Sequence, residues 1–323
     1  MVATVAARCV IGVDVGGTKL LAGLVDETLT VLHRSQRSSQ DLDTGALLDT
    51  VAEMVLDAAR SADVDVAGVG LGVPGVIDRR HGIVAVAPHL PLEGVRFQAL
   101  MAERLGLPVA VDNDANCAML AEWRHGAARG AGDAVMLMLG TGIGGGVVTG
   151  GQLLRGASGG AAEIGHMVVE LDGPPCEGEC PGQGHFEWYA SGNAIGRAGH
   201  QSALANADSV LGRELAAGRE ITGAFVTEVA HDGDPHARRA LEQVGRWLGQ
   251  GIVSLVNVFN PEVVVIGGGG IGAGELLLGP AREVVAAQAM PSMRELARIE
   301  SARFGAEAGL VGAATLAFEE LAA

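Results

Sequence analysis

The sequence predicts an α/β protein of two related lobes with a cleft between them. Three observations carry this prediction. Apolar runs of strand length alternate with stretches whose apolar residues recur at helical spacing. A strand, glycine turn, strand unit occurs twice, at residues 13–21 and again at 136–148. No linker or low-complexity segment separates the halves, and 48% hydrophobic content over 323 residues is enough for a substantial core.

Taken in order, residues 10–15 read as a buried strand ending in a glycine turn. Residues 20–25 and 31–35 follow after short turns, so the three form an antiparallel meander. Residues 44–62 place Leu47, Leu48, Val51, Val55, Leu56 and Ala59 on one helical face. A second buried strand over 66–73 is stopped by Pro74-Gly75, and a short helix, 97–105, precedes a short strand, 109–111. Asp112-Asn113-Asp114 sits at the end of that strand, and a helix over 115–128 follows, with Asp112 the favoured N-cap. The second lobe has a strand at 134–139, a glycine turn at 140–146 and a strand at 147–149. Helices dominate 193–259, then a strand at 263–266 runs into four glycines and a helix. A last strand at 298–303 and a closing helix at 309–321 complete the chain. These elements divide into a small lobe, 1–118 plus 304–323, and a larger lobe, 119–303.

Composition excludes several classes. A net charge of −16 with no basic run argues against a nucleic-acid partner. No stretch reaches transmembrane length, and residues 1–10 lack an apolar leader core, so no membrane partner and a cytoplasmic location are expected. The four cysteines are too few for a disulfide framework: Cys9 and Cys117 read as buried apolar residues, and Cys176 and Cys180 form a C-x3-C pair in a polar loop.

The pattern G-x-G-x-x-G occurs at Gly70/Gly72/Gly75, Gly140/Gly142/Gly145 and Gly267/Gly269/Gly272. The first two run into strand-like sequence, and the third leaves too little chain for a dinucleotide domain. A Walker A loop is absent. The specific turn is Asp14-Val15-Gly16-Gly17-Thr18-Lys19. Its glycines let backbone N–H groups reach phosphate oxygens, Thr18 adds a hydroxyl, Lys19 a cation, and Asp14 can hold a Mg²⁺-bound water. Lys19 is the only lysine among 22 basic residues. Gly140-Thr141-Gly142 recurs at the equivalent place in the second lobe, so two phosphate-facing hairpins make a nucleotide cleft.

Four motifs together, D-x-G-G-T-K, V-D-N-D-A-N, L-G-T-G-I-G-G-G and G-A-x-G-G-A-A-E-I-G-H, resemble the ROK family (repressor, open reading frame, kinase) of bacterial sugar kinases. The likeness runs from about Val10 to the final helix and is most specific between Asp112 and Gly192. It implies the actin-like, Hsp70-like ATPase fold of the ribonuclease H-like class, and ATP-dependent phosphorylation of a hexose at its 6-hydroxyl, with D-glucose favoured. Position by position, the resemblance implies Asp114 as the general base. It implies Asn113, Glu163, His166 and Glu187 as ligands of the sugar hydroxyls, with a backbone contact at Gly75. Gly268 and Gly269, in the four-glycine run, join Asp14, Gly16, Gly17, Thr18, Lys19, Thr141 and Gly142 as expected ATP contacts.

The family also carries a structural zinc site, a His followed by C-x-C-G-x-x-G-C-x-E. Here the corresponding residues are His166, Cys176, Cys180 and His185, with two extra residues between the cysteines and His185 in place of the last cysteine. That set is a closed tetrahedral shell, suited to a structural role. The expected cofactors are therefore ATP, Mg²⁺ and structural Zn²⁺, and the resemblance implies a homodimer or homotetramer. N-acetylmannosamine, N-acetylglucosamine and fructose kinases share most of these residues, and some relatives accept polyphosphate. A sugar-responsive transcriptional regulator is the reading from another class; it needs a helix-turn-helix of about sixty residues, and thirteen residues precede Asp14.

Overall fold

Cys-Val-Ile-Gly-Val-Asp-Val forms the central strand of the first sheet, Cys9–Val15, and all of it but Asp14 is buried. β-Branched side chains suit a strand covered on both faces. The computed structural model describes residues 8–321 other than 88 and 179, so the expectation about the first seven residues lies outside it. Two units partition the chain. The first takes Met1–Arg129, Leu153–Ala161 and Ala306–Ala323, the second Gly130–Gln152 and Ala162–Gly305. The sequence assigns the strap Leu153–Ala161 to the larger lobe, whereas its contacts group it with the first unit.

The sheet of the first unit runs Val31–Ser38, Lys19–Asp26, Cys9–Val15, Val66–Val73, Val109–Asn113. The first three strands are antiparallel, as the meander predicts, and the last two run parallel to the centre. Val31–Ser38 alternates half-buried and exposed positions, as a polar edge strand should. Helix Thr44–Arg60 buries Leu47, Leu48, Val51 and Val55 and is capped by Asp43, whose side chain accepts from the Ala46 N–H. The closing helix, Ala308–Leu321, is buried from Ala308 to Ala317 and packs on the same sheet. Its close approach needs glycine beneath it. A Cβ on Gly12 would lie 2.1 Å from the Leu310 carbonyl oxygen, and one on Gly70 would lie 1.8 Å from that of Ala313.

In the second unit the sheet order is Gln152–Leu153, Ile143–Thr149, Ala134–Leu139, Val263–Gly267, Arg298–Ser301. Ala134–Leu139 and Ile143–Thr149 are an antiparallel hairpin, and Val263–Gly267 and Arg298–Ser301 continue in parallel. Gly144, Gly145 and Gly146 are strand residues, not part of a long turn as the sequence suggests. Gly145 could carry no side chain, because its Cβ would lie 2.5 Å from the Ala162 carbonyl oxygen. Helices Phe186–Ala190, Gly192–Ala205, Val210–Ala216, Gly223–His231, Pro235–Phe259, Glu275–Gln288 and Pro291–Arg294 complete the unit. The longest, Pro235–Phe259, starts on Asp234, which accepts from the His236 and Ala237 N–H groups, and ends on left-handed Asn260. No described helix is long and apolar enough to cross a membrane.

One local expectation is corrected. The cap of helix Asp114–His125 is Asn113, whose side chain accepts from the Asn116 N–H, and Asp112 still belongs to the strand. The strand outlasts its apolar run by two residues because Asp112 and Asn113 still pair with Gly72 and Val73. The same helix stops at His125, since Gly126 takes up a non-helical conformation.

Candidate active site

The turn between the first two strands of the first unit holds Gly16-Gly17-Thr18. The Gly16 N–H donates to the Lys19 carbonyl at 3.0 Å, closing the turn, and the Ser39 hydroxyl pins it by donating to the Gly16 carbonyl at 2.7 Å. A Cβ on Gly16 would lie 2.8 Å from the Lys19 carbonyl oxygen, so the turn requires glycine there. Thr18 and Lys19 are exposed at its tip. Asp14, one strand residue earlier, is half-buried against Gly309, the second residue of the closing helix. Burial, reinforced by the charge of Asp114 and opposed by Lys19, pushes the Asp14 carboxyl up to about 7.

Asp112, Asn113 and Asp114 have three distinct fates. Asp112 is 2% exposed. Its Oδ1 accepts from the Asn113 N–H at 2.8 Å and from Asn116 Nδ2 at 3.3 Å, and its Oδ2 accepts from Arg155 Nε at 2.7 Å. The Asn113 side chain caps the helix through Oδ1, donates through Nδ2 to the Gly75 carbonyl at 3.1 Å, and also hydrogen-bonds the Asp114 carboxyl. Asp114 is the first residue of the helix and accepts from the Ala115 N–H at 2.8 Å. Crowding of the carboxyl by protein atoms raises its pKa above the usual range, against the hydrogen bonds that favour the charged form. Gly72 underlies this corner, where a Cβ would lie 3.4 Å from the Asp114 Cα and the Cys117 Sγ. A carboxylate with raised basicity at a helix N-terminus is equipped to take a proton.

Within the second unit, Gly140-Thr141-Gly142 forms a tight turn in which the Gly140 N–H donates to the Gly142 carbonyl at 3.0 Å. Glu187, on the short helix Phe186–Ala190, reaches this turn, and its Oε2 accepts from the Ile143 N–H at 3.2 Å. A Cβ on Gly142 would lie 2.3 Å from that same oxygen. The hairpin expected to face phosphate and the carboxylate expected to face sugar therefore touch, which the spacing in sequence did not suggest. Glu163 is exposed beside Ala162, which holds the left-handed conformation at φ 66°. Such a conformation in a non-glycine residue is strained, and strain of this kind gathers at functional sites. Gly268, with φ 81°, follows strand Val263–Gly267 and packs on Leu139, and Gly269 opens a turn of 3₁₀ helix.

His166, Cys176, Cys180 and His185 converge, with one ligand atom from each lying within 4.8 Å of the others. Their Nδ1 atoms bring His166 and His185 to 3.1 Å, and Cys180 Sγ is 4.0 Å from His185 Nε2. Both cysteines are free, and each sulfur accepts a backbone N–H, Gly178 to Cys176 at 3.4 Å and Gly182 to Cys180 at 3.3 Å. Burial and the neighbouring His166 hold the His185 pKa below the usual value, against Glu187, which keeps the ring neutral as a metal ligand must be. Two imidazoles and two thiols gathered this closely are a donor set of the kind that structural zinc takes. Sequence reasoning missed Arg155 and Arg79, the arginines at Asp112. No motif marks them, and only the burial of an acid in Asp112-Asn113-Asp114 could have prompted a search for partners.

Comparison with known proteins bears on both units. The sequence profile of the ROK family matches residues 10–320. A glucokinase of Thermotoga maritima is 37% identical over 314 residues, 96% of this chain and 98% of that protein. The crystal structure of a ROK family glucokinase from Streptomyces griseus in complex with glucose and AMPPNP superposes with a TM-score of 0.83 and 38% identity, covering 96% of this chain and 99% of that one. A ROK family transcriptional regulator, a homologue of the E. coli MLC protein, gives a TM-score of 0.86 at 27% identity, covering 96% of this chain and 78% of that one.

Proposed function

The chain belongs to the ROK family, with its two-lobed actin-like ATPase fold, and on that premise we propose that it is a glucokinase. It is a sugar kinase that transfers the γ-phosphoryl group of ATP to the 6-hydroxyl of D-glucose. The observation that carries this reading is the Asn113-Asp114 corner. There a carboxyl with raised pKa opens the helix, and the asparagine just before it caps that helix and hydrogen-bonds both the carboxyl and the Gly75 carbonyl. The kinase reading is favoured over the regulator reading by identity, at 37% and 38% against 27%.

In this reading Asp114 accepts the proton of the glucose 6-hydroxyl as O6 bonds to the γ-phosphorus and the bond from that phosphorus to the bridging oxygen of ADP breaks. The products are glucose 6-phosphate and ADP. A base of this kind contributes roughly 10²- to 10⁴-fold. Asn113, Glu163, His166, Glu187 and the Gly75 backbone hold the other hydroxyls, each of which both donates and accepts. Asp14, Gly16, Gly17, Thr18, Lys19, Thr141, Gly142, Gly268 and Gly269 serve the nucleotide. Mg²⁺ would neutralise phosphate charge, with Asp14 holding one of its waters. Zinc on His166, Cys176, Cys180 and His185 would fix the loop that carries His166 and leads to Glu187. The enzyme is assigned to the cytoplasm, as a homodimer or homotetramer, where its product feeds glycolysis.

The test is ADP release in a coupled assay across glucose, mannose, fructose, N-acetylmannosamine and N-acetylglucosamine, with Asp114→Asn alongside. Glucose should give the highest kcat/KM, and Asp114→Asn should lose at least about 100-fold in kcat. No stimulation by any sugar, or near-normal turnover by Asp114→Asn, refutes the assignment.

A further inference from the structure

Asp112 is the most enclosed acid of the first unit's site, and the proposed mechanism gives it no chemical task. Three hydrogen bonds hold it. Oδ1 takes the Asn113 N–H and Asn116 Nδ2, and Oδ2 takes Arg155 Nε at 2.7 Å. Arg79 Nε stands 3.6 Å from Oδ2, beyond hydrogen-bond range, and is itself buried without a hydrogen-bond partner. The Arg79 guanidinium is turned instead toward Glu320, through Nη2. Arg155 lies on the strap Leu153–Ala161, and the strap is fixed. Its ends are closed by the Ala161 N–H donating to the Arg155 carbonyl at 3.2 Å, and Gly159 lies so flat that a Cβ would fall 2.0 Å from the Ile77 carbonyl oxygen.

We propose that Arg155 is a positioning residue for phosphoryl transfer, holding Asp112 so that the Asn113-Asp114 corner keeps its aim. This rests on the reading of Asp114 as the base. Without the Arg155 guanidinium, the buried Asp112 carboxylate has Arg79 as its nearest cation and must rotate toward it. Rotation draws Oδ1 away from the Asn113 N–H, and Asn113 is both the cap of the catalytic helix and the residue before Asp114. Arg155 touches no reacting atom in this scheme. Its effect should fall on the rate with bound substrates more than on ATP binding, since small misplacements of a reacting group cost rate steeply.

The experiment compares kcat and KM of wild type, Arg155→Ala, Arg155→Met, Arg155→Lys, Asp112→Asn and the double variant Asp112→Asn/Arg155→Ala. The expected result is a kcat loss of roughly 10- to 100-fold in Arg155→Ala. KM for ATP should stay within about twofold, Arg155→Lys should recover part of the loss, and added guanidinium should raise the rate of Arg155→Ala. The double variant should lose no more than the worse single variant, because both break one contact. Arg155→Met keeps the aliphatic stem and serves if the alanine variant does not fold. Wild-type kcat in either uncharged variant, or losses that multiply in the double variant, overturns the proposal. A wild-type enzyme active on glucose beside an unimpaired Arg155→Ala overturns this inference alone, whereas a wild type that phosphorylates no hexose overturns the glucokinase reading with it.

Discussion

Replacing Asp14 by Asn should make the ligand-free protein more stable and less active. The amide keeps the shape of the carboxyl and removes its charge. In the folded chain Asp14 holds its proton up to about pH 7, against 3.8 for an ordinary aspartate, because of burial first and the Asp114 charge second. Between those values the folded state binds the extra proton, so the contribution of Asp14 to stability falls as pH rises through that window. A displacement of about three pH units at 1.36 kcal/mol each sets an upper bound of about 4 kcal/mol. Asp14 is only half-buried, so solvent screening reduces this, and about 2 kcal/mol is the expected gain for Asp14→Asn at pH 8. For units of this size that is a rise of about 4–8 °C in Tm. Calorimetry at pH 8 and pH 4, without nucleotide or divalent cation, measures it, and kcat from the coupled assay should fall in parallel. The reasoning is refuted if the variant gains nothing at pH 8. It is equally refuted if the gain is the same at pH 4, where wild-type Asp14 is already neutral.

Other outcomes follow from the same geometry. Asp114 must be ionised to act as a base and its pKa is raised, so kcat should decline on the acid side at a pH above the ordinary carboxylate range; a flat profile down to pH 4 contradicts its role. The purified protein should contain about one zinc per chain by metal analysis. His185→Cys should retain that zinc and His185→Ala lose it with a marked drop in Tm; a metal-free protein with unaltered stability rules out the site. Gly70→Ala places a Cβ 1.8 Å from the Ala313 carbonyl oxygen, so urea titration should find it destabilised by about 3 kcal/mol or more; a cost below about 1 kcal/mol would show that the closing helix can shift to make room.

The sequence carried a large share of this because its signals are local. The meander at residues 9–38, the helix at 44–60 and the buried strand at 66–73 all announce themselves by period and by glycine or proline at their ends. The set His166, Cys176, Cys180 and His185 was legible through the family resemblance, and the structure brings those four side chains together. What stayed hidden was relational. Asn113, not Asp112, caps helix Asp114–His125, because strand pairing with Gly72 and Val73 carries the strand two residues further than the apolar run suggests. Glu187 contacts the Gly142 turn across 45 residues of sequence, and Arg155 finds Asp112 across 43. Neither arginine belongs to a motif, since a lone basic residue in a loop has no period. The strain at Ala162 was equally silent, because alanine gives no sign of the left-handed backbone it adopts.

The closing helix also has a consequence for synthesis on the ribosome. The face of the first sheet that it covers is complete in strands once Val109–Asn113 has emerged, yet the helix that buries it begins at Ala308. At about 5–20 residues per second, the interval between His125 and Ala308 lasts roughly 10–40 s. Through that interval Gly12, Gly23 and Gly70 offer a shallow apolar trough, shaped by missing side chains, to any passing helix. The core of the second unit, by contrast, is assembled from chain that emerges in the meantime. A nascent chain halted before residue 308 should therefore be a client of chaperones, and the full chain should not.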